Sequence, residues 1–194
     1  MAKKESTFLN MLLALSLVAL VASAVLGFVY EVTKEPIARA KAERQNAALR
    51  SVLPPFDNDP VKEMYKKAVD GDTLYFFPAR RGDSLVGIAV ETFSPKGFGG
   101  MIRLMVGFLP DGTINKIAVL EHNETPGLGD KMDPAKSDFE LQFEGKNPKT
   151  FKLAVTKDGG DVDAITASTI SSRAFCDAVE RAYKNLDLTK GGAQ

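Results

Sequence analysis

Polarity divides the chain into one long apolar stretch, one amphipathic stretch and a series of short alternating runs. Positions 8–30 hold no Asp, Glu, Lys, Arg or His, and only Asn10, Ser16 and Ser23 interrupt the apolar run as strongly polar residues. As a helix this run is long enough to cross a hydrocarbon core, which takes roughly 20 residues. The pattern therefore predicts a short tail over 1–7 and a transmembrane helix over 8–30. Ala22-Ser23-Ala24 has the small-residue form of a signal-peptidase site, behind Lys3 and Lys4 as a basic leader. The apolar run continues six residues past Ala24, however, which favours an uncleaved anchor over a removed signal. Glu35-Pro36 then opens a second helical pattern running to about Val52, since proline suits a first helical turn. Ile37, Ala40, Ala47, Ala48 and Val52 recur at helical spacing, and Pro54-Pro55 ends the pattern, giving a stalk helix and linker over 31–55.

Beyond position 56 the pattern changes. Residues 56–72 are mixed and polar, with turn signals at Asn58-Asp59-Pro60 and Asp70-Gly71-Asp72. Residues 74–77, 85–93, 101–109 and 113–121 are strand-length and rich in β-branched and aromatic side chains. Arg81-Gly82-Asp83 and Pro110-Asp111-Gly112 suit hairpin connections. In the third strand Ile102, Leu104, Val106 and Phe108 alternate while the other face is also apolar, which predicts a central position in the sheet. A loop with a helix is expected over 122–142, a further strand over 151–155, and a closing helix from near Ser168, where Ile170, Ala174, Phe175, Ala178, Val179 and Ala182 repeat at helical spacing. Strands and helices mix without regular βαβ alternation. The expectation is one α+β domain over 56–194, with a mixed or antiparallel sheet and flanking helices.

Charge and cysteine narrow the picture by exclusion. Lys and Arg total 25 and Asp and Glu total 25, so no net field favours nucleic acid or acidic polymers. Basic residues flank the apolar run on both sides, so charge bias does not set its orientation. Cys176 is the one cysteine, which excludes an intrachain disulfide or a cysteine-based metal site. It falls within the closing helical pattern as a small core side chain.

Candidate chemistry gathers in three segments. Asp163-Ala164-Ile165-Thr166-Ala167-Ser168-Thr169-Ile170-Ser171-Ser172 puts five hydroxyls into the seven positions 166–172, where an apolar segment gives way to a helix. Hydroxyls beside the unpaired amides of a helix start suit a phosphate, and they equally suit a plain N-cap. His122-Asn123-Glu124-Thr125-Pro126-Gly127-Leu128-Gly129 packs a proline and two glycines into a loop that lets backbone approach a ligand, or simply makes a rigid turn. Lys96-Gly97-Phe98-Gly99-Gly100 stands directly before a strand, and its aromatic could face a ring system.

The hydroxyl run resembles the flavinylation motif of the FMN-binding domain family, and Glu-Thr-Pro-Gly-Leu-Gly is similar to that family's second motif. The family also has a comparable Gly-aromatic-Gly-Gly turn, and the motifs stand here in family order. The resemblance covers nearly the whole chain and reaches the membrane-anchored FMN subunits of two respiratory complexes, of the Rnf type and of the sodium-pumping NADH:quinone reductase type. Chain length favours the Rnf type. One departure is that the family usually has Gly-Ala where this chain has Ala167-Ser168.

The resemblance implies an electron relay rather than a free-standing catalyst, acting as a redox subunit of an ion-translocating oxidoreductase. It implies FMN joined through its phosphate to Thr169, with Ser171 and Ser172 as hydrogen-bond donors and Thr166 and Ser168 as further candidates. Glu124, Thr125, Gly127 and Leu128 would line the flavin, with Gly99 at the neighbouring turn. The partners implied are the other membrane subunits, especially a second FMN-carrying one, and a separate flavin transferase that moves FMN from FAD and reads Asp163. The implied location is the bacterial inner membrane, with the globular domain on its outer side.

Three other readings stay open on the residues alone. A Ser or Thr hydrolase needs a base with a group to orient it. His122 is the sole imidazole, and no Gly-x-Ser-x-Gly elbow occurs. A membrane-anchored module could hold a ligand without redox chemistry. An FMN-carrying relay outside the Rnf complex would share the same motifs. His122 itself lacks clustered partners for a metal, so a strand-end histidine held by local hydrogen bonds is expected.

Overall fold

A computed structural model describes residues 7–188. Its N-terminal element is one helix, α1 (Phe8–Val52), rather than an anchor and a separate stalk. Pro36 lies inside α1. A proline removes one rung of the hydrogen-bond ladder, but the helix-forming Ala and Lys residues around it carry the helix through. The chain divides into two compact units, residues 1–44 and 45–194. In the first, the apolar side chains between Phe8 and Val32 are exposed, as they are on a helix whose solvent is lipid. The expected tail over 1–7 lies, apart from Thr7, outside the described residues.

The second unit begins within the last two turns of α1, ahead of the expected boundary at 56, because those turns are packed. Ala48, Leu49 and Val52 are buried with Leu53 against Phe77, Ala79, Ala89 and Met105 on one face of the sheet. Contact is close enough that a Cβ on Gly107 would stand 2.0 Å from the Val52 carbonyl oxygen. Asn115 Nδ2 donates to that same oxygen at 2.7 Å.

The sheet is an antiparallel meander in the order β1 (Tyr65–Val69), β2 (Asp72–Arg81), β3 (Ser84–Gly97), β4 (Gly100–Phe108), β5 (Ile114–Glu121). The row Phe76, Val90, Val106 and Ile117 runs across it in register. Four of the strands are those the alternation predicts. β1 is additional: only Tyr65 and Val69 are partly buried on this edge strand, and its exposed lysines Lys66 and Lys67 hide the pattern while guarding the edge. β4 is internal, as expected, although β3 holds the middle.

The opposite face of the sheet is covered by α2 (Thr169–Asn185), whose Ala174, Phe175, Ala178, Val179 and Ala182 share one core with Leu74, Phe76, Ile88, Val90, Leu104 and Phe108. Two expectations fail between β5 and α2. No strand forms over 151–155; only the bridge Val155↔Val162 does, as Asp161 N–H returns to Lys152 O at 3.1 Å. The helix expected over 122–142 is instead two 3₁₀ turns, Gly129–Met132 and Phe139–Phe143, since Pro126, Gly127 and Pro134 interrupt a longer one.

Burial pushes the Cys176 thiol up to about 12. Because the thiolate is the reacting form, we expect maleimide labelling at pH 8 to be negligible in the folded chain and rapid in urea. Fast labelling of the folded protein would contradict the burial.

Candidate functional site

The antiparallel register decides where the site forms. Arg103 pairs with Glu121, so the loop leaving β5 emerges beside the β3–β4 turn at residues 97–100. α2 is fastened at the same end. Ser94 Oγ donates to Asp177 at 2.8 Å, Lys96 Nζ approaches it at 2.5 Å, and Thr92 Oγ1 donates to Ala178 O at 2.8 Å. Burial works to raise the Asp177 pKa, but the bonds from Lys96, Ser94 and Arg181 outweigh it and hold the carboxyl below its usual range. Three segments far apart in sequence thereby share one place.

Between them lies a cleft of about 310 Å³ lined by Phe98, Glu124, Thr125, Leu128, Gly129, and residues 167–171. Its centrepiece is the Glu124 side chain, only 6% exposed. Ser171 Oγ donates to Glu124 Oε2 at 2.5 Å, and Gly99 N–H donates to Oε1 at 3.0 Å. One carboxylate thus ties the β3–β4 turn and the start of α2 to the loop after β5. Its surroundings are cut to fit: a Cβ on Gly97 would come within 2.5 Å of Oε1, and one on Gly129 within 2.6 Å of Oε2. A Cβ on Gly99 would meet the Asn123 carbonyl oxygen at 1.9 Å.

The five hydroxyls separate by environment. Ser172 Oγ donates to Ser168 O at 3.0 Å and accepts from Ile165 N–H at 2.9 Å, so it serves the fold. Ser171 donates to Glu124, and Thr166 is exposed and outside the cleft lining. Ser168 is the N-cap residue by position, yet its side chain makes no capping bond. Thr169 lines the cleft half-buried at the first helical position, with no hydrogen-bond partner for its hydroxyl among the described residues. The first-turn amides of α2 likewise lack a side-chain cap, which leaves donors for an anion.

Of the expected flavin-lining residues, Glu124, Thr125, Leu128, Ser168, Thr169 and Ser171 meet in the cleft. Four do not line it. Gly127 (φ 78) is the left-handed corner of a turn closed by Leu128 N–H to Thr125 O at 3.1 Å. Gly99 supports Glu124, Ser172 buttresses the helix start, and Thr166 faces out. Lining residues outside the expected set are Phe98, Gly129, Ala167 and Ile170. Phe98 (70% exposed), Ile170 (49%) and Leu128 (40%) make an apolar rim; Phe98 and Leu128 stand where the motifs pointed, whereas Ile170, expected in the core stripe of the closing helix, is exposed at its first turn. The arrangement fits an amphiphilic ligand, with a phosphate end at Thr169 and a ring against that rim. It fits a hydrolase poorly, since His122 Nδ1 accepts from Glu124 N–H at 3.2 Å and lies outside the lining.

Ala167 occupies φ 59, the left-handed region that disfavours a Cβ. We therefore expect Ala167→Gly to stabilise the chain by about 0.5–1 kcal/mol, the relieved strain exceeding the added chain entropy. Thermal unfolding reads this, and a lower melting temperature would mean the strain is absent.

Comparison with known proteins adds independent findings. The FMN-binding domain family matches residues 97–184, which hold all three cleft segments. The family described as RnfG N-terminal region matches residues 12–52, within α1. Among similar proteins, the G subunit of the ion-translocating oxidoreductase complex of Erwinia tasmaniensis is 35% identical, over 91% of this chain and 89% of its own. The protein of that name from Salmonella typhi is 36% identical, covering 88% and 86%. That from Vibrio cholerae is 34% identical, covering 90% and 88%.

Proposed function

Since the chain belongs to the family of G subunits of the ion-translocating oxidoreductase complex, we propose that it is the membrane-anchored flavoprotein subunit of such a complex. It relays electrons through FMN attached by a phosphoester to Thr169 Oγ1. The observation that supports this most is the meeting of Thr169 with Glu124, Thr125 and Leu128 in one cleft, inside the segment matched as an FMN-binding domain. The match of α1 to the RnfG N-terminal region, with the names of the relatives, favours the Rnf complex over the sodium-pumping quinone reductase.

Each lining residue has a task in this reading. The uncapped start of α2 offers backbone N–H groups and a positive dipole end to the phosphate. Glu124 holds Ser171 and the β3–β4 turn in place, and Phe98, Leu128 and Ile170 offer apolar contact to the ring. FMN bound there supplies the one-electron chemistry, which no side chain in the cleft can provide. The covalent bond keeps the relay loaded at an exposed membrane face. Its formation falls to a separate flavin transferase, consistent with a cleft lining whose one carboxylate, Glu124, is already engaged by Ser171 and Gly99.

The remaining assignments extend the same reading. The anchor lies in the bacterial inner membrane with the globular unit on its outer side. The electron partner is another membrane subunit of the complex, one that also carries FMN, and the assembly as a whole acts as the translocase.

The test is a denaturing gel of the chain co-expressed with a flavin transferase. A fluorescent band at the chain's own mass is expected. Trypsin cuts after Lys157 and Arg173, so fluorescence should map to the peptide 158–173. Label in any other peptide, or a colourless protein, overturns the proposal.

A further inference from the structure

The segment leading into α2 is held by side chains rather than by a strand. Past the single bridge at Val162, no sheet hydrogen bond among the described residues supports it. Instead Asp163 N–H donates to Gln142 Oε1 at 2.8 Å, and Gln142 Nε2 donates back to Asp163 O at 3.1 Å. One side-chain amide thus satisfies both backbone groups of one residue, as a neighbouring strand would. Gln142 is itself fixed, donating to Phe139 O at 3.0 Å on a 3₁₀ turn whose Phe139 and Phe143 rings lie 5.1 and 5.2 Å from Phe175 of α2. Two residues on, Ile165 N–H is held by Ser172 Oγ. Val162 and Ile165 are buried, while the side chains of Asp163, Thr166 and Ala167 face outward.

We propose that Gln142 is a positioning residue for covalent flavin loading, splinting Asp163 ahead of the turn closed by Ser168 N–H to Ile165 O at 2.9 Å, so that the approach to Thr169 meets a flavin transferase already formed. This rests on the reading of Thr169 as the attachment point. In the transfer, a bond forms between Thr169 Oγ1 and the FMN-side phosphorus of FAD as the phosphoanhydride bond breaks. AMP leaves, and the hydroxyl proton passes to a base of the transferase. Thr169 is half-buried, so the enzyme has to engage the outward face beside it. A segment already held in place binds without first being ordered, and ordering backbone costs free energy at every residue. The splint therefore acts on docking and leaves the chemical step alone.

The experiment uses the full chain in detergent, with FAD and a flavin transferase. It follows initial rates of covalent fluorescence against acceptor concentration, together with amide exchange of the unloaded chain. Gln142→Met keeps length and volume while deleting all three hydrogen bonds; Gln142→Ala is the harsher variant. We expect the KM for the acceptor to rise about ten-fold in Gln142→Met, the worth of roughly one net hydrogen bond, with kcat unchanged. Exchange at Asp163 should quicken, and long incubation should bring both proteins to equal occupancy. An unchanged KM with a freed Asp163 amide overturns the splint while leaving Thr169 as the attachment point. A fall in kcat at constant KM also overturns it. A wild-type chain that takes no label at all overturns the attachment reading itself.

Discussion

Thr169→Ala gives a folded, membrane-bound chain with no covalent flavin. The loss is complete because no neighbouring hydroxyl can take over. Ser171 commits its proton to Glu124 Oε2 at 2.5 Å. Ser172 is buried between Ile165 N–H and Ser168 O, and Thr166 lies outside the cleft. Ser168 stands before the first helical residue, at φ −133, and is 7% exposed, so its oxygen is displaced from that of Thr169 and shielded. Stability should move by less than about 0.5 kcal/mol, since the deleted hydroxyl has no partner among the described residues. Thr169→Ser should restore loading, and Ser168→Ala should leave it intact. The measurement is in-gel fluorescence normalised to protein, alongside thermal unfolding. A Thr169→Ala chain that still fluoresces after denaturation would move the attachment point elsewhere.

By residue type alone the same five hydroxyls made an undivided patch; the family resemblance pointed to Thr169, and the structure adds the separate environments of the other four. The alternating runs were legible because core burial imposes period two on β2 to β5 and a helical period on α2. β1 was not, because an exposed edge strand of five residues buries too little to leave a pattern. Pro36 read as a helix start because local rules favour it there, whereas the continuous helix reflects the residues on both sides. The resemblance of the 124–129 loop and the hydroxyl run to a flavin site brought them together on paper, but it assigned Glu124 to the ligand. In the structure Glu124 does line the cleft, and its carboxylate is also bonded to the protein's own Ser171 and Gly99. A buried bond spanning 47 residues leaves no local signature.

Glu124→Ala should therefore be the most destabilising change in the cleft, costing about 2–3 kcal/mol. Removing the carboxylate strands one buried donor, the Ser171 hydroxyl, at a cost of roughly 1–3 kcal/mol, and releases the Gly99 amide, which belongs to an exposed residue and can turn to water. Gly97 and Gly129, which lie against the carboxylate, have no side chains to fill the space left behind. Against a typical domain stability of roughly 5–15 kcal/mol, this is a large fraction. Glu124→Gln separates shape from hydrogen bonding. Its carbonyl can still accept from Gly99, while its NH₂ turns Ser171 from donor to acceptor, so a cost nearer 1 kcal/mol is expected. Urea unfolding of the detergent-solubilised chain distinguishes the two. The pair also differs from Thr169→Ala in kind: Glu124→Ala should lower stability and flavin loading together, because the cleft's three segments lose their common tie. Near-wild-type stability for Glu124→Ala would mean that water satisfies both donors, and that the cleft is held by the packing of Gly99 against Asn123 instead.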